Sequence, residues 1–138
     1  MTFLDSDVLS YYFSGNQQIR DKIFEAIRRG EKIALTTINV YELLKGFRWR
    51  RNETKEKLFN EFLEKMFVFS LDDNVIDLAA NIYADLRENG KTIGDADIMI
   101  AAIVINNNGK LISNNTKHYK DIKELKLINW LEEDPNSD

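Results

Sequence analysis

Ile93-Gly94-Asp95-Ala96-Asp97-Ile98-Met99-Ile100-Ala101-Ala102-Ile103-Val104-Ile105 is the stretch on which the fold turns. Two aspartates stand immediately before eight consecutive apolar residues, Ile98 to Ile105. The run contains Ala101-Ala102 and lies among segments of helix length, so it reads as a helix buried nearly all round rather than a strand. Asp95 is the expected N-cap, with Asp97 two positions into the first turn. Residues two apart do not share a helix face, so the two carboxylates should have different jobs. The free N–H groups and positive dipole end of the helix stabilise both as anions. A buried helix that opens on ionised groups needs something cationic in front of it, and a metal ion would serve.

Outward from this stretch the chain alternates. Thr2 to Asp5 reads as a short buried strand ending in an acid, and Ser6 or Asp7 then caps a helix through Val8, Leu9, Tyr12 and Phe13 that Gly15 closes. Ile19, Ile23, Phe24 and Ile27 mark a second helix, stopped at Gly30. Lys32 to Thr36 is strand-like, and Asn39 is the expected cap of the next helix, with Val40, Leu43, Leu44 and Phe47 on its buried face. Leu58, Phe59, Phe62, Leu63 and Met66 form another apolar stripe. Phe67-Val68-Phe69 is a third strand. Asp72 or Asp73 caps a helix through Ile76, Ala79, Ile82 and Leu86 that ends at Gly90. Beyond the buried helix come the strand Lys110 to Ser113, the polar loop Asn114-Asn115-Thr116, and Leu127-Ile128 as an edge strand.

Strands alternating with helices predict an α/β fold with a mostly parallel sheet. Ligands in such sheets bind outside the carboxyl ends of the strands. Asp5 ends a strand, Glu42 lies early in the helix after a strand, Asp97 opens the buried helix, and Asn115 follows a strand. All four are expected at the same edge. Clustered carboxylates repel unless cations neutralise them, and hard oxygen ligands select Mg²⁺ or Mn²⁺.

The totals bound the rest. At 138 residues, 43% hydrophobic and 30% charged, the chain has the size and balance of one globular domain with a real core. It has no cysteine, which excludes disulfides, thiolate metal sites and Cys nucleophiles. Its net charge of −4 means that a nucleic-acid partner needs a local basic surface. The first residues enter a strand without a leader and no apolar run reaches membrane-spanning length, so the expected location is cytoplasmic. The single domain is expected over residues 1–131, with the acidic tail 132–138, which holds the only Pro, frayed.

Four segments carry a resemblance: Phe3-Leu4-Asp5-Ser6-Asp7-Val8-Leu9, Thr37 to Gly46 around Glu42, Ile93 to Ala102, and Leu111 to Tyr119. In this order and spacing they resemble the PIN-domain ribonucleases of the VapC toxin type. The resemblance runs from Phe3 to Trp130. It implies a three-layer α/β/α domain, a Mg²⁺- or Mn²⁺-dependent endoribonuclease toxin, a homodimer, and inhibition by a cognate VapB-type antitoxin. Carried over by position, it makes Asp5, Glu42 and Asp97 the acidic metal-site residues. It puts Ser113 at a small hydroxyl position lining the site. Asn115 falls where many relatives carry a fourth acid, a departure that weighs against a second metal held entirely by protein. The implied chemistry is hydrolysis of RNA phosphodiester bonds by a metal-activated water, with no side-chain nucleophile.

Each of these residues also has a plainer reading. Asp5 could simply cap a helix, and Glu42 could be a solvated helix glutamate. Asp95 reads as a cap rather than a ligand, Asp7 as a cap or a supporting contact, and Asp72 and Asp73 as capping residues. His118 reads as a polar surface histidine, and Asn114-Asn115 as a turn. The basic segment Lys45 to Lys57, with Arg48, Arg50 and Arg51 beside Phe47 and Trp49, suits RNA backbone and bases. It equally suits a solvated face or a subunit or antitoxin contact, since Glu53 and Glu56 interrupt it.

Two rival functions remain open on the sequence. Asp5-Ser6-Asp7 also resembles the opening of haloacid-dehalogenase-type phosphatases, which use the first Asp as a covalent nucleophile. No small-residue turn completes that motif here, and the later acids follow Ile93-Gly94 rather than a Lys. The other rival is an α/β binding module whose acids hold a structural ion without turnover.

Overall fold

Thr2, Phe3 and Leu4 are all buried, because the strand they form is the middle one of five. The computed structural model describes residues 1–131; the tail expected to fray lies outside them. In chain order the elements are β1 (Thr2–Leu4), α1 (Ser6–Phe13), α2 (Gln17–Arg28), β2 (Ile33–Thr36), α3 (Thr37–Trp49) and α4 (Glu53–Leu63). There follow β3 (Phe67–Phe69), α5 (Asp73–Glu88), α6 (Asp95–Asn106), β4 (Lys110–Ile112), α7 (Thr116–Tyr119) and β5 (Lys126–Ile128). The sheet runs β3-β2-β1-β4-β5 and every pairing is parallel.

Alternation along the strands divides the core. Phe3, Ala34 and Leu111 face one layer, built from α5, α6 and the α7 region. Leu4, Ile33, Leu35 and Ile112 face the other, built from α1, α2, α3 and α4. A parallel sheet needs helices on both faces to keep water from its apolar sides, which makes this a three-layer α/β/α domain. The expected buried helix is α6: Ile98 and Ile100 to Val104 are all buried. No helix among the described residues is long and apolar enough to cross a membrane.

Several expected caps are displaced. Gly94, not Asp95, is the cap of α6, which makes no side-chain capping bond; Asp95 lies within the first turn and is exposed. Asp5, rather than Ser6 or Asp7, caps α1 by accepting from the Ser6 amide. Thr36 caps α3 through the Asn39 amide, which leaves Asn39 inside the first turn and buried. In both of the latter cases the chain turns from strand to helix with no intervening loop, so the last strand residue or the one after it becomes the cap. Asp72 caps α5 as expected.

The inward helix stripes are also narrower than expected. Ile19, Ile23 and Ala26 take the buried face of α2, while Phe24 and Ile27 are exposed. Val75, Ala79, Ile82 and Leu86 do the same on α5 and leave Ile76 exposed; Phe59 does so on α4 and leaves Leu58 exposed. One residue is about 100° of helix, enough to turn a neighbour of the stripe toward solvent.

The strand order also locates the site. From β1 the chain moves to β2 and β3 on one side, then returns to β4 and β5 on the other. A crevice opens at the carboxyl ends of β1 and β4, where the order reverses, and it is the usual ligand position in such sheets.

Candidate active site

Asp5 follows β1 directly at this crevice, and its amide extends the ladder by donating to the Ile112 carbonyl at 2.9 Å. The residue is 4% exposed. Its Oδ1 accepts from the Ser6 amide at 2.9 Å and from Asn39 Nδ2 at 3.1 Å. Its Oδ2 accepts from Ser113 Oγ, just past β4, at 2.8 Å. Burial pushes the Asp5 carboxyl above the ordinary aspartate range; bonds from Ser113, Ser6 and Tyr119 oppose the rise and the charge of Asp97 adds to it. A carboxylate wrapped in donors yet held up by desolvation is a negative charge in want of a cation.

Glu42 reaches the same place from α3. Its Oε1 accepts from Ser6 Oγ at 2.7 Å, and Ser6 Oγ in turn accepts from Asn39 Nδ2 at 2.9 Å. Asn39 and Glu42 are three apart, so they share a helix face. Thr36 Oγ1 donates to Asn39 Oδ1 at 2.7 Å and fixes which end of the amide points at Asp5. Asn39 thus ties Asp5 to the Ser6–Glu42 pair, with every bond inside or beside the sheet edge.

Asp97 approaches from α6. Its Oδ1 accepts from the Tyr119 hydroxyl at 3.1 Å, and its Oδ2 lies 3.2 Å from His118 Nδ1. Tyr119 is buried, and burial together with the charges of Asp5 and Asp97 drives its phenol far above the usual range, so it stays protonated and acts as a donor. His118 is exposed and stands beside Asp97 on the solvent side.

The remaining sequence-predicted residues divide clearly. Ser113 is buried and bridges Asp5 to the loop, since its Oγ also accepts from the Asn115 amide at 3.0 Å. Asp7 turns away from the acids and binds backbone: Oδ1 accepts from Val8 and Oδ2 from the Asn114 amide, 2.7 and 2.8 Å. Its carboxyl is raised, by burial first and then by the charge of Asp5. Asp95 is exposed and off the network; Asn115 is exposed at the rim, with its backbone rather than its side chain engaged. Arg48, Arg50 and Arg51 are exposed, and Arg48 Nε pairs with Glu56 Oε1 at 3.2 Å.

Three groups in this network were not assigned to the site from sequence: Asn39 and Ser6, read there as helix caps, and Tyr119. Asn39 carried a signal, because it is a polar residue one turn from Glu42 on a helix with an apolar inner face. Tyr119 carried none.

The donor set fits a hard divalent cation: three carboxylates, no sulfur, and no Lys or Arg ion pair to Asp5, Glu42 or Asp97 among the described residues. Their oxygens do not converge on one point. Among the described residues no three His, Asp or Glu side chains stand close enough to grip an ion as they are placed. Ser6 engages Glu42, and Tyr119 and His118 engage Asp97, so hydrogen bonds gather the acids without closing a coordination sphere. A groove of about 560 Å³ lies elsewhere, between the end of α5 and residues 121–124, and holds none of these groups.

The model of the PIN domain family matches residues 2–125, and the chain belongs to that family. Its relatives within it are of the VapC type. Ribonuclease VapC2 of Rickettsia felis is 25% identical over 128 residues, 92% of this chain and 96% of that protein. Ribonuclease VapC1 of Methanocaldococcus jannaschii is 31% identical over 94 residues, 68% of this chain and 67% of that protein. Among solved structures, VapBC2 of Rickettsia felis bound to a promoter DNA fragment superposes with a TM-score of 0.85 at 24% identity, covering 94% of this chain and 98% of that one.

Proposed function

We propose that the chain is a divalent-metal-dependent endoribonuclease, the toxin of a VapBC-type pair whose VapB-type antitoxin restrains it. The observation that carries this reading is the buried Asp5 carboxylate at the β1–β4 switch point, linked by hydrogen bonds to Glu42 on one side and neighboured by Asp97 on the other. The ribonuclease names of its relatives and the toxin–antitoxin complexes among its structural neighbours support the same reading.

Asp5, Glu42 and Asp97 are the residues that would hold Mg²⁺ or Mn²⁺. A bound ion supplies Lewis acidity, which makes a water more acidic and offsets charge on the phosphodiester oxygens. The chain's own contribution is to place and orient the acids. Asn39 and Ser113 hold Asp5 from opposite sides, Ser6 turns Glu42 inward, and Asp7 fixes the Asn114 backbone from which the Asn115 rim follows. Asp7 is turned into backbone bonds with Val8 and Asn114, which weighs against the phosphatase alternative. The binding-module alternative differs in having no turnover.

The test is cleavage of a structured RNA substrate with and without Mn²⁺. Cleavage should require the ion and disappear in Asp97→Asn with the fold intact. Unchanged cleavage in that variant would remove the reading, and hydrolysis of phosphomonoesters without RNA cleavage would replace it with the phosphatase. The homodimer belongs to the same proposal and is checked by light scattering on the purified chain.

A further inference from the structure

We propose that the Tyr119 hydroxyl is a positioning group for Asp97, setting its carboxylate for a divalent ion without touching the ion itself. The inference rests on the metal reading above. Tyr119 is 1% exposed, and its ring belongs to the core layer that holds Ile98, Ala101 and Ala102 of α6. A phenylalanine would fill the same apolar space. The hydroxyl is therefore the one part of this side chain that packing does not explain. A buried hydroxyl left without a partner costs about 1–3 kcal/mol; here it donates to Asp97 Oδ1 at 3.1 Å, with the Asp5 carboxylate also within its reach.

The geometry is that of an outer support. Tyr119 ends α7, a single turn that follows the Ser113–Asn115 rim, so the hydroxyl reaches Asp97 from the β4 side of the crevice. Asp97 itself arrives on α6, whose burial fixes the backbone but leaves the carboxylate free to rotate about its side-chain bonds. With His118 Nδ1 beside Oδ2 on the solvent side, the buried donor on Oδ1 restrains that rotation. Groups that hold a ligand in this way are commonly worth about 10–100-fold in metal affinity.

The experiment is Mn²⁺ titration of the full chain by electron paramagnetic resonance, for wild type, Tyr119→Phe, Asp97→Ala and the double variant. Thermal unfolding in chelator accompanies it. Tyr119→Phe should keep the wild-type unfolding midpoint to within a few degrees and lose about tenfold in Mn²⁺ affinity. In the Asp97→Ala background the same change should cost clearly less than in wild type, because the acceptor on residue 97 is gone and only the contact with Asp5 remains. Wild-type affinity in Tyr119→Phe would overturn the positioning role and leave the metal reading intact. So would an equal loss in both backgrounds, which places the hydroxyl's effect on something other than Asp97 and is readable even where the phenylalanine weakens the fold. Absence of Mn²⁺ binding by the wild type would overturn both. RNA cleavage failing while the affinities behave as stated would count against the ribonuclease reading alone.

Discussion

Ser113 Oγ donates to Asp5 Oδ2 at 2.8 Å, joining residues 108 positions apart across the β1–β4 boundary. The same oxygen accepts from the Asn115 amide, so one hydroxyl sets both the buried carboxylate and the loop at its rim. Ser113→Ala should therefore act on both. Mn²⁺ affinity should fall by about 10–100-fold, with stability reduced by about 1–3 kcal/mol. Calorimetric Mn²⁺ titration beside urea unfolding measures the two effects, and an unchanged affinity would place Ser113 outside the site's support.

Asp5→Asn tests whether the buried charge opposes folding in the absence of metal. Burial is the chief cause of its raised carboxyl pKa, so the ionised form is disfavoured in the folded chain. In chelator at neutral pH the variant should melt several degrees above wild type. Mn²⁺ should then raise the wild-type midpoint and leave the variant's where it was, by the ordinary coupling of binding to stability. A variant that melts lower in chelator would show that the donors around Asp5 outweigh its desolvation.

At the opposite end of the sheet, Glu31 accepts from Thr2 Oγ1 at 2.8 Å and pairs with Lys110 Nζ at 2.7 Å, clasping the starts of β1 and β4. Hydrogen bonds from Lys110 first and Thr2 next lower its carboxyl. A lowered folded-state value means stability that is full above the unfolded pKa and lost as the pH falls through the folded one. Glu31→Gln should remove that loss, so its urea stability relative to wild type improves between pH 6 and about pH 3. The partners are partly exposed, so the effect at pH 6 should stay below about 1 kcal/mol.

Gly109→Ala should destabilise the chain without touching the acids. A Cβ there would stand 2.6 Å from the Phe3 ring and 3.2 Å from the Met1 carbonyl. Phe3 is fully buried against Phe69 and cannot swing away. Overpacking of this kind costs about 1–3 kcal/mol. Urea unfolding reads the cost, and a neutral result would mean that the β1 start relaxes freely.

The basic segment across the α3–α4 junction is testable through salt. Arg50 and Arg51 are exposed, whereas Arg48 is paired with Glu56. If the first two grip phosphates of single-stranded RNA, Arg50→Ala with Arg51→Ala should reduce the slope of log affinity against log salt by roughly 0.7 for each phosphate no longer neutralised. Arg48→Ala should change it less. An unaltered slope in the double variant would make the segment a solvated face or a protein contact.

Periodicity and local chemistry already specified much of this protein. The unbroken apolar run Ile98 to Ile105, with its Ala pair among segments of helix length, reads as a helix packed on several sides, and the alternation of strands and helices points to a parallel sheet covered on both faces. Strand ends also told which rim Asp5, Glu42 and Asp97 would share, because parallel strands all finish on one side. The tertiary structure decided which polar groups meet there. Asn39 reads as a cap until the β2–α3 junction places Thr36 in that role, and Tyr119 has no assigned role until α7 brings its hydroxyl to Asp97. The physical reason is range: helix and strand periods are fixed by neighbours a few residues away, whereas a hydrogen bond across 22 or 108 residues exists only once the sheet has brought its strands side by side.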